Sequence, residues 1–259
     1  MAKAAFNVFD YETIRAVYEA SRETEEGVYL QFSASTVQYY GASQLRRILD
    51  SIDQTPNTNV IIHLDHCSDF QVIGDCIENG WDSVMADFSN LPLVENIRKV
   101  NEIRSAWPAY SGLIEGELGA ILGEEDGFGG DSTGKVNLDE LEEFCDRTAV
   151  DLLAIGVGNA HGHYISTQNI DIDLWIKAHQ VIPNQKLVLH GASGIESKKI
   201  AKIKKYGLEK VNISTELKDV YVNSFLDIAG TNRYSMIKYV KNRYEKTLEL
   251  CIKKINELK

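Results

Sequence analysis

The chain has 259 residues, a length that suits one large α/β domain better than several small modules. Its 38 acidic residues against 27 Lys and Arg residues give a formal net charge of −11, which argues against non-specific binding to nucleic acid or to an anionic membrane. Hydrophobic residues at 44% and charged residues at 25% exclude the disordered and fibrous classes. The negative charge still permits a small phosphorylated ligand, because such a ligand needs only a local anion site.

The cysteines and the apolar runs indicate the compartment in which the protein works. The four cysteines show no CxxC spacing and no dense disulfide framework, which is typical of a reducing compartment. The N-terminal segment lacks the apolar stretch of a signal peptide, and no apolar run approaches the ~18 residues of a membrane span. We therefore expect a soluble, cytoplasmic protein.

Short apolar runs alternate with longer amphipathic stretches from the N-terminus onward. The runs predict strands over residues 4–9, 28–32, 59–64, 83–86, 111–117, 152–157, 186–190 and 210–213. The stretches predict helices over residues 11–24, 42–51, 69–79, 92–106, 138–147, 172–181, 197–206 and 216–228. Eight strands that alternate with eight helices predict an α/β fold, a (β/α)₈ TIM barrel. Periodicity alone leaves an open, doubly wound sheet as the alternative.

Two segments depart from this alternation. The connection over residues 118–137 holds six glycines and no helical period, which is typical of a lid or a binding loop. The tail over residues 231–259 is rich in Tyr, Lys and Glu and predicts one additional C-terminal helix, packed across the barrel or against a partner subunit. We expect one barrel domain over residues 1–259, with 231–259 as its helical extension.

Catalytic residues of such a barrel lie at the C-terminal ends of the strands and in the loops that follow. Here those positions hold histidines, acids, serines, a threonine and asparagines: His63, Asp65, His66, Asp87, Glu115, Glu117, Asn159, His161, His163, His190, Ser193, Asn212, Ser214 and Thr215. Only His179 of the six histidines falls elsewhere. Imidazoles with carboxylates nearby suit a divalent metal, above all zinc, which keeps three protein ligands and an open position in catalytic sites.

Strand three ends in His63-Leu64-Asp65-His66, and side-chain alternation decides which of these residues face the barrel interior. In a regular strand His63 and Asp65 lie on one side and His66 lies on the other. Because alternation relaxes at a strand end, either histidine can face the mouth of the barrel.

Two segments predict an anion site. Residues 190–194 and 212–215 each offer small residues and hydroxyls directly before a helix, where backbone N–H groups can cradle a phosphate. The loops after strands seven and eight are also the usual phosphate site of this barrel class. A metal together with a phosphate indicates a phosphorylated sugar or ketone as the ligand.

The strings AFNV, HLDH, ELG, GEEDG, AHG, HGASG and VNISTELK, in this order, resemble the class II, zinc-dependent ketose-bisphosphate aldolases. This family comprises fructose- and tagatose-1,6-bisphosphate aldolases, and the STELK string is more similar to the tagatose-type branch. The similarity runs from Ala5 to about Phe225. It implies a lyase of carbohydrate metabolism, such as glycolysis, that cleaves a phosphorylated ketose to dihydroxyacetone phosphate and an aldehyde.

The resemblance implies which residues carry the chemistry. It places one zinc ion per subunit on three histidines: His66, His161 and His190. Two carboxylates would be alternative ligands or would orient the histidines: Asp87 and Glu117. Asp65 would exchange a proton with the hydroxyl that becomes the aldehyde oxygen. Glu125 of the glycine-rich connection, rather than its neighbour Glu124, would move the carbon-bound proton.

The resemblance also implies a substrate site and an assembly. The substrate would contact Asn7, Ser33, Gly162, Gly191, Ser193, Asn212, Ser214 and Thr215. Within this set the glycines, Ser193, Ser214 and Thr215 would hold the phosphate, and Asn212 would contact the reacting ketone half. A monovalent cation, Na⁺ or K⁺, would lie near the phosphate. Members of such a family are expected to form a homodimer or homotetramer.

Two other functions stay open at this point. Another metal-dependent phosphosugar enzyme, an epimerase or isomerase, would use the same barrel, metal and phosphate site. A non-catalytic aldolase-like subunit would be expected to have lost Asp65 or a metal histidine, and this sequence keeps all of them.

Overall fold

The computed structural model describes residues 2–52, 59–119, 121, 134–160, 162, 170–229 and 235–259, without the side chains of residues 227–229. Eight parallel strands close into a barrel in which each strand pairs with its neighbours in chain order. They are β1 (Lys3–Asn7), β2 (Val28–Ser33), β3 (Val60–Cys67), β4 (Ser83–Ala86), β5 (Leu113–Leu118), β6 (Leu152–Ile155), β7 (Lys186–Leu189) and β8 (Leu208–Ile213). The predicted closed barrel is confirmed, and an open sheet is excluded.

Helices surround this barrel, and local sequence explains where several of them begin. Those in the described residues are α1 (Tyr11–Thr24), α2 (Ala34–Tyr40), α3 (Ala42–Ile52), α4 (Phe70–Glu78), α5 (Leu93–Ala106), α6 (Leu138–Thr148), α7 (Ile172–Val181), α8 (Ser197–Ile203), α9 (Thr215–Ala229) and α10 (Met236–Glu257). Asp10 opens α1 in a capping box with Thr13, and the side chain of Asp171 caps α7. None of these helices is both long enough and apolar enough to cross a lipid bilayer.

Helix α2 is absent from the sequence prediction. It begins directly after β2, where the Ser33 hydroxyl accepts a hydrogen bond from the Thr36 amide at 3.3 Å. Only Ala34 and Val37 of its seven residues are buried. This helix is therefore too short to show the apolar periodicity that predicts the longer helices.

The additional C-terminal helix is confirmed, although it begins later than predicted. The described helix α10 starts at Met236 rather than near residue 231. It packs against α1 and α9 and contacts β1, with Tyr239, Cys251 and Ile255 on its buried face. The helix thus belongs to the outer layer of its own barrel.

Two apolar clusters hold the barrel together. One lies between the strands and the helices, and the other fills the lower interior with Ala5, Tyr29, Met85, Leu152, Ala154 and Val188. Side chains alternate along a strand, so the residue two positions further on also faces inward. After four of these floor residues that position is polar: Asn7 in β1, Gln31 in β2, Asp87 directly after β4 and His190 directly after β7. An apolar floor beneath a polar mouth places the candidate site at the C-terminal ends of the strands.

An irregularity in β3 brings two adjacent side chains into the mouth. Leu64 pairs with Val84 and Cys67 pairs with Ala86, so β3 holds one extra residue against β4 in this stretch. His66 lies within it at a φ of 39°, in the left-handed region. Such a backbone costs a residue other than glycine roughly 1–2 kcal/mol, and proteins keep this strain mostly at functional sites. Asp65 and His66 therefore both make contacts inside the barrel.

Candidate active site at the barrel mouth

Two histidines from different strands face each other at the mouth. His66 lies near the end of β3 and His190 directly follows β7. His66 Nε2 and His190 Nδ1 are 2.7 Å apart, and the two side chains belong to residues that are 5% and 0% exposed. The structure thus brings together two of the three histidines that the sequence resemblance proposes as metal ligands.

The two nitrogens that face each other, His66 Nε2 and His190 Nδ1, are called the inner nitrogens here. The outer nitrogens, His66 Nδ1 and His190 Nε2, each lie close to a carboxylate. His66 Nδ1 lies 2.7 Å from Asp87 Oδ2 and 3.9 Å from Glu117 Oε2. His190 Nε2 lies 2.8 Å from Glu115 Oε1. A carboxylate that accepts from the outer nitrogen fixes the orientation of the ring and leaves the inner nitrogen for a metal ion. The inner nitrogens are the pair that converges.

The charges around His66 make the pocket attractive to positive charge. Burial lowers the pKa of His66, but the carboxylates of Asp65 and Asp87 outweigh burial and raise this pKa to about 10. Burial raises the pKa of Asp87, yet its hydrogen bond with His66 brings the value down to about 2. Burial and the Asp87 charge raise the pKa of Glu117 to about 8. Either a proton or a metal ion satisfies such a pocket.

Two overlapping groups of buried side chains offer ligand atoms to a metal ion. One group consists of Asp65, His66 and His190, and the other of His66, Asp87 and Glu117. Within each group the ligand atoms lie within 4.8 Å of one another. Imidazole nitrogens combined with carboxylate oxygens are ligands that zinc accepts. The residues present therefore fit a divalent metal of the zinc type.

Asp65 lies beside the histidine pair and is held by two amides. Asn7 Nδ2 donates to Asp65 Oδ2 at 2.7 Å, and Asn212 Nδ2 donates to Asp65 Oδ1 at 3.1 Å. The same Asn212 nitrogen lies 3.3 Å from His190 Nδ1. Asn212 Oδ1 is buried and has no hydrogen-bond partner among the described residues. A buried acceptor of this kind is suited to a hydrogen bond from a bound ligand.

The predicted phosphate segments after β7 and β8 lie side by side. The Ala192 amide donates to the Asn212 carbonyl at 3.3 Å. The Glu216 amide donates to Ser193 Oγ at 3.3 Å. Ser193 and Ser214 are both buried. The two segments therefore form one continuous wall of the mouth.

Two glycines and a helix start lie in the segments that follow β6, β7 and β8. Gly162 and Gly191 have φ values of 82° and 57°, a backbone conformation that favours glycine. Among the described residues, no atom lies within 4 Å of the position that a Cβ atom at Gly162 would take. Thr215 begins the 15-residue helix α9, whose N-terminal end carries partial positive charge.

An open cleft adjoins Asp65 at the ends of β1 and β2. Its volume is about 420 Å³, and its lining includes Asn7, Ser33, Thr36, Lys218 and Tyr221. Two residues that the resemblance implies for substrate binding, Asn7 and Ser33, thus line the same cleft. A larger cleft of about 660 Å³ lies at the opposite end of the barrel, before β4 and β5, and contains none of the mouth residues.

A buried network beneath the mouth joins His63 and Glu115, which the sequence analysis names, to Lys210 and Gln31, which it does not. It consists of Lys210, Glu115, Gln31 and His63, all of them 0% exposed. Lys210 Nζ lies 2.7 Å from Glu115 Oε2 and 3.0 Å from His63 Nε2. Lys210 also donates to Gln31 Oε1 at 3.4 Å. A charged lysine at an inward-facing strand position is the signal that sequence reasoning missed.

The position of His63 settles which histidine of strand three faces the mouth. His63 lies below it, in contact with Lys210 and with Ser83 Oγ at 2.8 Å from His63 Nδ1. Burial and the Lys210 charge lower the pKa of His63 well below its usual value. Among the described residues, His66, rather than His63, belongs to the groups whose ligand atoms could hold a metal ion.

Several proposed functional residues fall outside the part of the chain that the structure describes. They are His161, Glu125, the alternative Glu124 and most of the glycine-rich connection. The C-terminal end of this connection is described. The Gly158 amide donates to the Gly134 carbonyl, and the Val136 amide donates to the Gly156 carbonyl, both at 2.8 Å. The connection therefore returns to the barrel beside the end of β6.

Comparison with known families decides what kind of protein has this site. Residues 1–259 match the family described as fructose-bisphosphate aldolase class-II. The chain belongs to this family. The predicted aldolase resemblance is thereby confirmed, and the protein is an enzyme of the lyase class. Class II aldolases are metal-dependent, in agreement with the histidine and carboxylate groups at the mouth.

Solved structures of class II aldolases and related proteins share the fold over nearly the whole chain. The YdjI aldolase from Escherichia coli K12 is 26% identical, with a TM-score of 0.87 over 99% of this chain and 91% of that chain. A protein from Coccidioides immitis described as a fructose-1,6-bisphosphate aldolase is 26% identical, with a TM-score of 0.91 over 99% and 91% of the two chains. The fructose-bisphosphate aldolase of Campylobacter jejuni, 21% identical, shares the fold with a TM-score of 0.85 over 99% and 90%.

Proposed function

We propose that this class II aldolase uses zinc to cleave a phosphorylated ketose reversibly to dihydroxyacetone phosphate and an aldehyde. The proposed substrate is tagatose-1,6-bisphosphate, fructose-1,6-bisphosphate or a related ketose phosphate. One observation carries the proposal: His66 Nε2 and His190 Nδ1 meet at 2.7 Å beside Asp65, at the mouth of a barrel of the class II aldolase family.

The proposed zinc ligands are three histidines: His66, His161 and His190. When bound, zinc supplies Lewis acidity that polarises the ketone carbonyl of the substrate. Asp87 and Glu115 orient the two described histidines by accepting from their outer nitrogens. Glu117, whose Oε2 lies 3.9 Å from His66 Nδ1, is an alternative ligand.

Asp65 is the proposed acid–base group for the aldehyde half. In cleavage it takes the proton of the hydroxyl that becomes the aldehyde oxygen, and in condensation it returns this proton. The amides of Asn7 and Asn212 hold both carboxylate oxygens and so fix the direction of transfer. Asn212, whose buried Oδ1 has no hydrogen-bond partner in the described part of the chain, is the proposed contact to the reacting ketone half.

The wall after β7 and β8 is the proposed phosphate site. The groups proposed to donate to the phosphate are the backbone or hydroxyls of Gly162, Gly191, Ser193, Ser214 and Thr215. A helix start and clustered hydroxyls suit an anion, and a monovalent cation, Na⁺ or K⁺, is proposed beside it. The cleft lined by Asn7, Ser33 and Lys218 is the proposed site of the aldehyde half.

The carbon-bound proton of dihydroxyacetone phosphate is assigned to Glu125. Replacement of Glu125 by Gln keeps the shape of the side chain but removes its ability to accept a proton. We expect exchange of that proton with solvent deuterium to fall by about 10²-fold or more. Phosphate binding should change little, because Ser193 and Ser214 lie on other segments.

Exchange is measured by NMR of dihydroxyacetone phosphate in deuterium oxide, and Glu124→Gln is the matched control. Wild-type exchange in Glu125→Gln together with lost exchange in Glu124→Gln would move the role to Glu124. Unchanged exchange in both variants would place the base elsewhere.

Product analysis tests the reaction itself. The zinc-loaded protein is mixed in turn with tagatose-1,6-bisphosphate, fructose-1,6-bisphosphate and ketose 1-phosphates, and release of dihydroxyacetone phosphate is followed with a coupled reductase. We expect release from at least one of these sugars. Conversion of a sugar without a three-carbon product would indicate an epimerase or isomerase. No conversion at all would indicate a non-catalytic subunit, and either result would contradict the proposal.

The proposed partner, compartment and assembly state accompany the same activity. A small phosphorylated sugar is the proposed partner, and the net charge of −11 argues against nucleic acid and membranes as partners. We propose a cytoplasmic homodimer or homotetramer that works in carbohydrate metabolism such as glycolysis.

A further inference from the structure

We propose that Lys210 is a positioning residue that orients two functional groups at once, the metal ligand His190 and the acid–base carboxylate of Asp65. The inference rests on the proposed function and deepens it, because it assigns a role to a buried lysine beneath the metal and substrate groups. Two separate chains of polar contacts start at Lys210 and lead to these two residues: one begins with an ion pair to Glu115, and the other begins with a hydrogen bond to Gln31.

The first chain leads from Lys210 to His190 through one carboxylate. Lys210 Nζ lies 2.7 Å from Glu115 Oε2, and Glu115 Oε1 lies 2.8 Å from His190 Nε2. The ammonium group holds one carboxylate oxygen in place, so the other oxygen is directed at the imidazole. A carboxylate in this position keeps the proton on His190 Nε2 and leaves Nδ1 as the ligand atom. Loss of Lys210 would leave Glu115 without its cation and His190 without a fixed orientation.

The second chain leads from Lys210 to Asp65 through two amides. Lys210 donates to Gln31 Oε1 at 3.4 Å, Gln31 Nε2 donates to Asn7 Oδ1 at 2.6 Å, and Asn7 Nδ2 donates to Asp65 Oδ2 at 2.7 Å. An ammonium group can only donate and a carboxylate can only accept. The two amides between them can therefore take only one orientation. Lys210 at one end and Asp65 at the other thus impose the same order, in which Asn7 presents its N–H group to Asp65 and Gln31 presents its carbonyl oxygen to Lys210.

The two chains meet again at the mouth. Asn212 Nδ2 lies 3.1 Å from Asp65 Oδ1 and 3.3 Å from His190 Nδ1. The result is a closed ring of Lys210, Glu115, His190, Asn212, Asp65, Asn7 and Gln31, with no member more than 5% exposed. Water cannot replace a lost partner in a buried ring, so removal of one member leaves its neighbours unpaired.

The charge of Lys210 distinguishes this role from simple packing. Its register neighbour in β7 is Val188, an apolar residue of the barrel floor. A buried charge costs far more than an apolar side chain of similar size, and an apolar replacement of a buried ion pair is often neutral or stabilising. Packing alone would therefore favour a second apolar residue here. The orientation of Glu115 and Gln31 requires a cation.

Three substitutions, each by a side chain of similar shape to the native one, distinguish the two chains of contacts. Glu115→Gln weakens only the chain to His190, Gln31→Met cuts only the chain to Asp65, and Lys210→Met cuts both. Two quantities are measured in the full-length protein: zinc affinity of the metal-free protein by competition with a chromophoric chelator, and kcat for ketose cleavage at saturating zinc. Cobalt(II) absorption spectra report ligand geometry independently of activity.

We expect Glu115→Gln to weaken zinc binding about 10–100-fold and to alter the cobalt spectrum. Gln31→Met should keep zinc affinity and the cobalt spectrum but lower kcat by about 10²-fold, the cost of a misplaced reacting group. Lys210→Met should show both losses. If Lys210→Met fails to fold, the other two variants decide, because both keep the lysine and each should show only its own loss.

Wild-type zinc affinity together with wild-type kcat in Lys210→Met would overturn the inference. The same loss of both quantities in all three variants, with lowered melting temperatures, would indicate a structural role and would also overturn it. These results are distinct from failure of the proposed function. In that case the wild-type protein itself would bind no zinc or release no dihydroxyacetone phosphate, and the inference would fall with it.

Discussion

Replacement of Asp65 by Asn is expected to lower kcat by about 10²–10⁴-fold while the protein keeps its zinc and its fold. The asparagine oxygen can still accept a hydrogen bond from Asn7 or Asn212, which both donate to the native carboxylate. The amide has no proton to give and no basic oxygen, so proton exchange with the substrate hydroxyl is lost. Steady-state kinetics and metal analysis of the same preparation measure the two effects.

Asp75→Asn is a suitable control, because Asp75 is an exposed carboxylate on helix α4 and lies away from the mouth. It should keep both rate and zinc. Asp65 also belongs to one of the groups whose ligand atoms can surround a metal ion. Parallel loss of zinc and activity in Asp65→Asn would therefore make Asp65 a ligand and refute the acid–base role.

Alanine in place of His66 or His190 is expected to abolish ketose cleavage and to reduce bound zinc to a small fraction. His66 Nε2 and His190 Nδ1 converge at 2.7 Å, and Asp65 is the third member of their group of potential ligands in the described residues. Because zinc that binds only the folded state stabilises it by mass action, zinc should raise the melting temperature of the wild type. The free energy of unfolding should increase by about 2.7 kcal/mol at a free zinc concentration 100 times the Kd for zinc.

His179→Gln is the matched control for the histidine variants, since His179 lies on helix α7, away from the mouth. It should keep zinc content, activity and the zinc-dependent rise in melting temperature. Full activity and full zinc content in His66→Ala or His190→Ala would rule out the proposed ligand set.

Regular periodicity made the barrel predictable. Alternating apolar runs and amphipathic stretches predict eight strands and their order, and strand ends such as those at Asp87 and His190 then fall at one rim. Helix α2 is not predicted, because a helix of seven residues with only two buried positions shows too little apolar periodicity. The later start of α10 reflects the same limit, since element boundaries carry the weakest signal in a sequence.

The interior of the barrel was only partly predictable. Strict alternation would turn His66 away from Asp65, and only the extra residue in β3, with His66 at a φ of 39°, brings both side chains inward. Lys210 is not predicted from the strand-end rule, because it lies inside β8, two residues before the strand-end position of Asn212. Its signal was present, since Lys210 stands two residues before the inward-facing Asn212 of the same strand.

A zinc titration of the chelator-treated protein, followed by release of dihydroxyacetone phosphate, tests whether ketose cleavage depends on zinc. The metal-free protein is mixed with the best ketose phosphate substrate, and zinc is added stepwise while the product is measured with a coupled reductase. We expect no release without metal and full activity at one zinc ion per chain. Full release from protein shown to be free of metal, or no release at any zinc concentration, would contradict zinc-dependent ketose cleavage.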